Sequence, residues 1–315
     1  MDPITHGLVG VALSAFSGDP VSVTNPLTIG AMLGAMSPDL DFVICIFKDD
    51  VAYLEHHRGA THTIPFLIGF SAVITLGLSF MPFDQFNIWT VFLWTLIGAL
   101  SHTGLDILNS YGAKLFRKKY KANILTLYDP IITGVGLFLI FHQNNNLMDL
   151  SGSAIAILGY LLLRAMLRRH AESQIDKALS PHYIIEQISV MPSLKAFYKW
   201  DFVVHTTTHD LVGQYNPFAR EMPLKILHAF ECTDEKYVDF VRNTPLGIIF
   251  SDFSPNLHVK ILESDQEGEI VLRVIDLRYF FKNEFLHQAT LVIDPEFNLL
   301  ASYFHPYSLD KVIPV

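Results

Sequence analysis

Apolar and polar positions fall into long blocks in the first half of the chain and short alternations in the second. Residues 4–16 are apolar and small, interrupted by Thr5, His6 and Gly7. Gly18 to Pro26 is rich in turn formers. Residues 27–47 are a second apolar block with Ser37-Pro38-Asp39-Leu40-Asp41 in its middle. The two blocks predict a helical hairpin, re-entrant in a bilayer, because acids at membrane depth are paired or face a cavity. Residues 48–62 form a polar loop. An apolar run of 18 follows over residues 63–80, long enough to span a bilayer. After a Met81-Pro82-Phe83-Asp84 turn, residues 87–108 predict a second span, which ends in Ser101-His102-Thr103-Gly104-Leu105-Asp106. A third span is expected over residues 124–141 and a fourth over 151–167, separated by a turn of three asparagines.

From about residue 171 the pattern changes. Residues 171–190 predict an amphipathic helix or linker. Beyond them, short alternating runs at 201–208, 269–276, 289–294 and 299–304 predict strands, with a turn at Asp294-Pro295-Glu296-Phe297-Asn298. The fold class expected is mainly α: a polytopic membrane helical bundle over residues 1–170, with a cytosolic β-rich (α+β) domain over 191–315.

Composition supports the membrane reading. Half of the 315 residues are hydrophobic and only 17% are charged, against about 25% in ordinary soluble domains. The net charge of −9 speaks against a general nucleic-acid binder. Two cysteines without a CxxC pair offer neither a disulfide framework nor a cysteine zinc site. No basic n-region opens the chain, so a cleaved signal peptide is not expected. Basic residues set the orientation. Lys114, Arg117, Lys118, Lys119 and Lys121 form one cluster, and Arg164, Arg168 and Arg169 another. The positive-inside rule puts both in the cytoplasm, with the two termini beside them.

That orientation brings residue types that bind metals to one membrane face. His6, the Asp39/Asp41 segment, the Glu55-His56-His57-Arg58-Gly59-Ala60-Thr61-His62 stretch, His102 with Asp106, and Asp129 all fall at or near it. Neutral imidazole is the commonest protein ligand for transition metals. His102 and Asp106, four apart, share one helical face. An extended chain after Pro38 would point Asp39 and Asp41 the same way. Arg58 is placed to pair with an acid or to bind a phosphate oxygen. Asn109 reads as a helix C-cap or a substrate contact, and Asp129-Pro130 as a helix cap or a ligand. In the C-terminal half, His205, His209 and Asp210 read as ordinary strand residues, and Asp276 and Arg278 as a salt bridge at a strand end.

These motifs resemble a bacterial inner-membrane family of metal-dependent hydrolases (YdjM-like, with a LexA-regulated namesake). The resemblance rests on Thr5-His6-x3-Gly10, Gly34…Ser37-Pro38-Asp39-x-Asp41, His57-Arg58-Gly59-x-Thr61-His62-Thr63 and His102-x3-Asp106-x2-Asn109-Ser110-Tyr111-Gly112. It covers roughly residues 1–170. The tail is similar to the extra cytosolic domain of a longer subgroup. The order of the ligands is also similar to that of zinc-dependent phospholipase C and related single-strand nucleases. That likeness implies a first metal on Asp39 or Asp41, His57 or His62, His102 and Asp106, and a second on His6 and Asp106. It departs from that superfamily in lacking the residues that complete a third metal.

The expectation is therefore a multi-pass inner-membrane hydrolase with one or two divalent ions, zinc or manganese. Its partners would be the lipid bilayer and a phospholipid or amphiphilic phosphoester substrate, with no nucleic acid. Asp39, Arg58 and Asn109 are its catalytic candidates. The alternative is a scaffold or transport-type protein with a structural metal or a buried polar network.

Overall fold

Three glycines set the closest contact in the helical part of the chain. Helix α2 (Pro26–Met36) begins at a proline suited to a first helical turn. The Asn25 side chain caps it by accepting the Leu27 N–H at 2.9 Å. Helix α4 (Ile88–Leu108) is capped by Asn87, which accepts the N–H groups of Trp89 and Thr90. A Cβ on Gly34 would overlap the carbonyl oxygen of Thr95, and one on Gly98 would overlap that of Ala31. Backbone therefore meets backbone, as small residues allow between helices in membranes. Helix α1 (Pro3–Ser14) closes on α2 in the same manner, with Gly10 against the Ala31 carbonyl.

The computed structural model describes residues 3–43, 60–116, 118–142, 146–194, 196–264, 266, 268–281 and 284–315, with the backbone alone described at 41–43, 60 and 281. The chain divides into two compact units, with the boundary at Leu167/Arg168. The first holds α1, α2, α3 (Ile64–Leu78), α4, a two-residue hairpin of β1 (Ala113–Lys114) and β2 (Lys119–Tyr120), and α5 (Pro130–Phe141). It also takes in the first part of α6 (Leu147–Leu179).

Among the described residues, two helices are long and apolar enough to cross a membrane: α4, with 21 residues, and α6, with 33. Two of the four expected spans are shorter. α3 runs for 15 residues. α5 runs for 12, because the residue before a proline avoids the helical region and Asp129 caps the helix that Pro130 starts. Residues 124–129 thus stay outside a helix despite their apolar character. The fourth span and the expected linker merge, since neither glycine nor proline interrupts the chain between Gly159 and Pro181.

The second unit contains two antiparallel sheets. One runs β3 (Ile185–Pro192), β4 (Trp200–Thr206), β5 (His209–Tyr215) and β6 (Leu224–Glu231) in order. Helices α7 (Glu235–Asn243) and α8 (Pro245–Phe253) lead to the other, ordered β13-β12-β11-β8-β7. Its strands are β7 (Leu257–Leu262), β8 (Ile270–Asp276), β11 (His287–Ile293), β12 (Leu299–Pro306) and β13 (Ile313–Pro314). The short pair β9 (Phe280–Phe281) and β10 (Glu284–Phe285) stands apart. The alternating runs expected as strands are β4, β8, β11 and β12. The turn after β11 is held by Asp294, which accepts the Asn298 N–H at 2.8 Å.

Met191, Val203 and Val212 of one sheet pack with Ile275 of the other and with Leu277 and Phe285. Two buried carboxylates tie this unit together. Asp276 accepts from Arg278 (2.8 Å) and Ser254 (2.7 Å). Asp210 of β5 accepts the Nδ1–H of His205 from β4 at 2.6 Å and of His258 from β7 at 2.7 Å, linking the two sheets. Asp210 thus bridges the sheets through His258, while His205 holds it within its own sheet.

Two outcomes follow from this packing. Gly34→Val forces α2 and α4 apart and costs about 1–3 kcal/mol or more, as overpacking does. Gly69→Ala, with nothing within 4 Å of the added carbon, leaves the melting temperature in detergent unchanged or slightly raised. The second outcome concerns acid. Burial pushes the Asp210 carboxyl up, but hydrogen bonds from His205 and His258 outweigh it and hold it below its ordinary 3.8. Its contribution is complete above that value and is lost as pH falls through the lower folded value. Melting of the full chain between about pH 5 and pH 2 therefore declines more steeply for wild type than for Asp210→Asn.

Candidate metal centre

The end of α4 carries two of the predicted ligands one helical turn apart. His102 and Asp106 face the same way, with Nε2 and Oδ2 3.6 Å apart. The Nδ1 of His102 lies 2.7 Å from the Ala35 carbonyl at the end of α2. A carbonyl only accepts, so the proton sits on Nδ1 and the Nε2 lone pair points inward. Metal-binding histidines are usually oriented in this way by a second hydrogen bond.

Residues 37–43, directly after α2, form a 3-10 helix rather than the extended segment expected after Pro38, so period-two alternation does not hold there. Asp39 on this turn sets its Oδ1 3.4 Å from His102 Nε2. His62 comes from the 3-10 turn Ala60–His62, just before α3. The Ile64 N–H bonds the Leu115 carbonyl at 3.1 Å, Thr61 Oγ1 lies 3.1 Å from His62 Nδ1, and Thr103 on α4 reaches the His62 carbonyl at 3.5 Å. His62 Nε2 then stands 3.2 Å from His102 Nε2, 3.5 Å from Asp106 Oδ2 and 4.0 Å from Asp39 Oδ1.

One ligand atom from each of Asp39, His62, His102 and Asp106 lies within 4.8 Å of all the others. Tetrahedral bonds of about 2.0–2.2 Å imply ligand–ligand edges of about 3.3–3.6 Å, and four of the five edges above are within about 0.1 Å of that range. The chemistry agrees as well. Two carboxylates buried side by side, with two imidazoles offering lone pairs, are a set that a divalent cation neutralises. The residues therefore fit a zinc-type ion. The Asp39 side chain is 11% exposed, whereas those of His62, His102 and Asp106 are fully buried.

Around this set sit residues that orient it. Asp106 divides its oxygens: Oδ2 faces His62 and His102, while Oδ1 accepts from Asn109 Nδ2 at 2.8 Å and lies 3.4 Å from His6 Nε2. Asn109 Oδ1 in turn accepts the N–H groups of Tyr111 and Gly112. Asn109, the C-cap of the helix, thus positions Asp106. His6 on α1 stacks on the His102 ring, with centroids 3.6 Å apart, and neither of its ring nitrogens makes a hydrogen bond among the described residues. It stands beside the four-residue set, on the far side of Asp106.

Asp129 takes the capping one of its two sequence readings. Its Oδ1 accepts the N–H groups of Ile131 and Ile132, and its Oδ2 accepts the Tyr160 hydroxyl at 2.7 Å. It caps α5 and is not in the converging group. His57, Arg58 and the Asp41 side chain lie outside the described residues. The Ala35 carbonyl escaped sequence reasoning because a backbone acceptor carries no residue signature.

Residues 1–171, which hold every member of this cluster, match the family model of the YdjM inner membrane protein. The chain belongs to that family. In this YdjM-family protein a second model, the YfhP C-terminal alpha/beta plait domain, matches residues 236–313, from α7 to β13. The chain is also 27% identical over 319 residues to the uncharacterized protein YfhP of Bacillus subtilis (strain 168), covering 96% of this chain and 94% of that protein. No solved structure matches. The family places the cluster in an inner-membrane protein.

Elemental analysis of detergent-purified protein is expected to find a divalent ion in wild type and none in His102→Ala or Asp106→Ala. Asn109→Ala retains the site but weakens it about 10–100-fold, the usual effect of losing an orienting partner. Wild type without metal after incubation with excess zinc or manganese would exclude a metal centre.

Proposed function

We propose that this protein is a multi-pass inner-membrane metallohydrolase with cytoplasmic termini, acting on a phospholipid or other amphiphilic phosphoester at the cytoplasmic face. The observation that carries the reading is the convergence of Asp39, His62, His102 and Asp106 in a buried cluster at the end of an apolar 21-residue helix. A zinc-type ion held by these residues would supply an activated water and polarisation of a phosphoryl or acyl oxygen.

The chain's own groups have separable tasks. His62, His102 and Asp106 are fully buried and would hold the ion. Asp39, reached by solvent, is the carboxylate placed to leave a coordination position or to accept a proton. Asn109 fixes Asp106, and the Ala35 carbonyl fixes His102. His6, against the other oxygen of Asp106, is the candidate for a second ion. Arg58 keeps its sequence-based role as a clamp for substrate charge. The choice of phosphoester chemistry rests on the resemblance of the ligand order in the sequence to that of zinc-dependent phospholipase C. The basic segment Lys114–Lys121, shortly after α4, supports a cytoplasmic site by the positive-inside rule.

One observation favours a second reading. Four protein ligands fill a tetrahedron, as structural zinc sites do, whereas catalytic sites keep a position open. On that reading the protein is a scaffold with a structural ion. Activity separates the two. Zinc- or manganese-loaded protein is assayed on a chromogenic phosphodiester and on phospholipid vesicles. Asp39→Asn is expected to lower turnover about 100-fold or more, in the range lost with a general base, while retaining most of the metal. Metal-loaded wild type with no turnover on any phosphoester would leave the structural reading in place.

A further inference from the structure

We propose that the apolar groove between α1, α5 and the first part of α6 seats one acyl chain of the substrate, with the polar end of that lipid at the metal cluster. This rests on the hydrolase reading above and names the substrate as a lipid bound by its tail as well as its head.

The groove encloses about 410 Å³, and no charged side chain lines it. One end is formed by Val9, Ile132 and Leu161, the other by Phe16, Leu139 and Ala154. Val9 lies three residues after His6 on α1 and so on the same helical face, one turn from the ring that stacks on His102. Val9, Ile132 and Leu161 also pack in one cluster with Leu105 and Leu108, which flank Asp106 on α4. Apolar packing is therefore continuous from the near end of the groove to the residues on either side of a metal ligand. From Val9 to Phe16 the helical rise is about 10 Å. That is some two thirds of the roughly 15 Å of hydrocarbon in one leaflet.

The size selects the occupant. An α-helix with side chains is about 10–12 Å across and fills roughly 400 Å³ per turn, so the groove would take little more than one turn of a partner helix. A flexible hydrocarbon chain fits the same space along its length. In an inner-membrane protein such chains are the surrounding medium, and the polar head of a lipid seated here would reach the level of His6 and Asp106.

The test uses full-length protein in nanodiscs that contain a trace of phosphatidylglycerol with a photoreactive diazirine at its acyl terminus. Adducts are mapped by mass spectrometry after illumination. Wild type is expected to carry them on the Phe16, Leu139 and Ala154 segments above the level at other lipid-facing positions such as Val73 and Leu93. Ala154→Phe fills the far end from an exposed position, and excluding two methylenes lowers occupancy about tenfold. Ile155→Phe adds the same ring on the neighbouring exposed position, which does not line the groove, and leaves labelling unchanged. Labelling that simply follows exposure and is the same in Ala154→Phe would overturn the proposal.

The readout needs no turnover, and metal is counted in the same sample. A labelled groove in a chain that holds no metal fails the hydrolase reading. An unlabelled groove in a chain that holds metal and cleaves phosphodiesters fails this one.

Discussion

The Nδ1–H of His102 reaches the Ala35 carbonyl because α2 and α4 touch through their backbones. That contact is possible only where Gly30, Gly34 and Gly98 leave room. It brings the end of α2, and Asp39 just beyond it, against the turn of α4 that carries His102 and Asp106. A side chain at Gly34 or Gly98 would meet the backbone of the facing helix and push Asp39 away from His102 and Asp106. Packing and chemistry are one constraint here. The bond to Ala35 also fixes which imidazole nitrogen bears the proton, so the seam decides the electronic state of the ligand as well as its place.

The surrounding medium explains the density of the cluster. Ionisable groups beside apolar helices are costly when isolated, and the buried carboxylates Asp39, Asp106 and Asp129 meet that cost in two ways. Asp129 spends its oxygens on backbone N–H groups and a tyrosine hydroxyl. Asp39 and Asp106 face imidazole nitrogens instead. The same residue type is a cap in one case and a candidate ligand in the other. What separates them is which donors the local backbone supplies.

That distinction marks how far the sequence could be read. The i, i+4 spacing of His102 and Asp106 made their shared face legible, and alternation made β4, β8, β11 and β12 legible. Hydrophobicity overran the third span because apolar residues from Ile124 onward say nothing of the break at Asp129-Pro130. The roles of Asp39 and Asp129 depended on backbone geometry, a 3-10 turn and an N-cap, that residue type leaves open. The bond from His258 to Asp210 was not legible, since its partners are 48 residues apart and belong to different sheets.

The four converging ligands come from three stretches of chain: the turn after α2, the turn before α3 and the end of α4. None of these stretches holds more than two of them. A chain leaving the ribosome therefore lacks the complete set while only its first three helices have formed, and gains it only when α4 docks against α2. Until then no stretch of the growing chain can offer a divalent ion more than two of these four side chains.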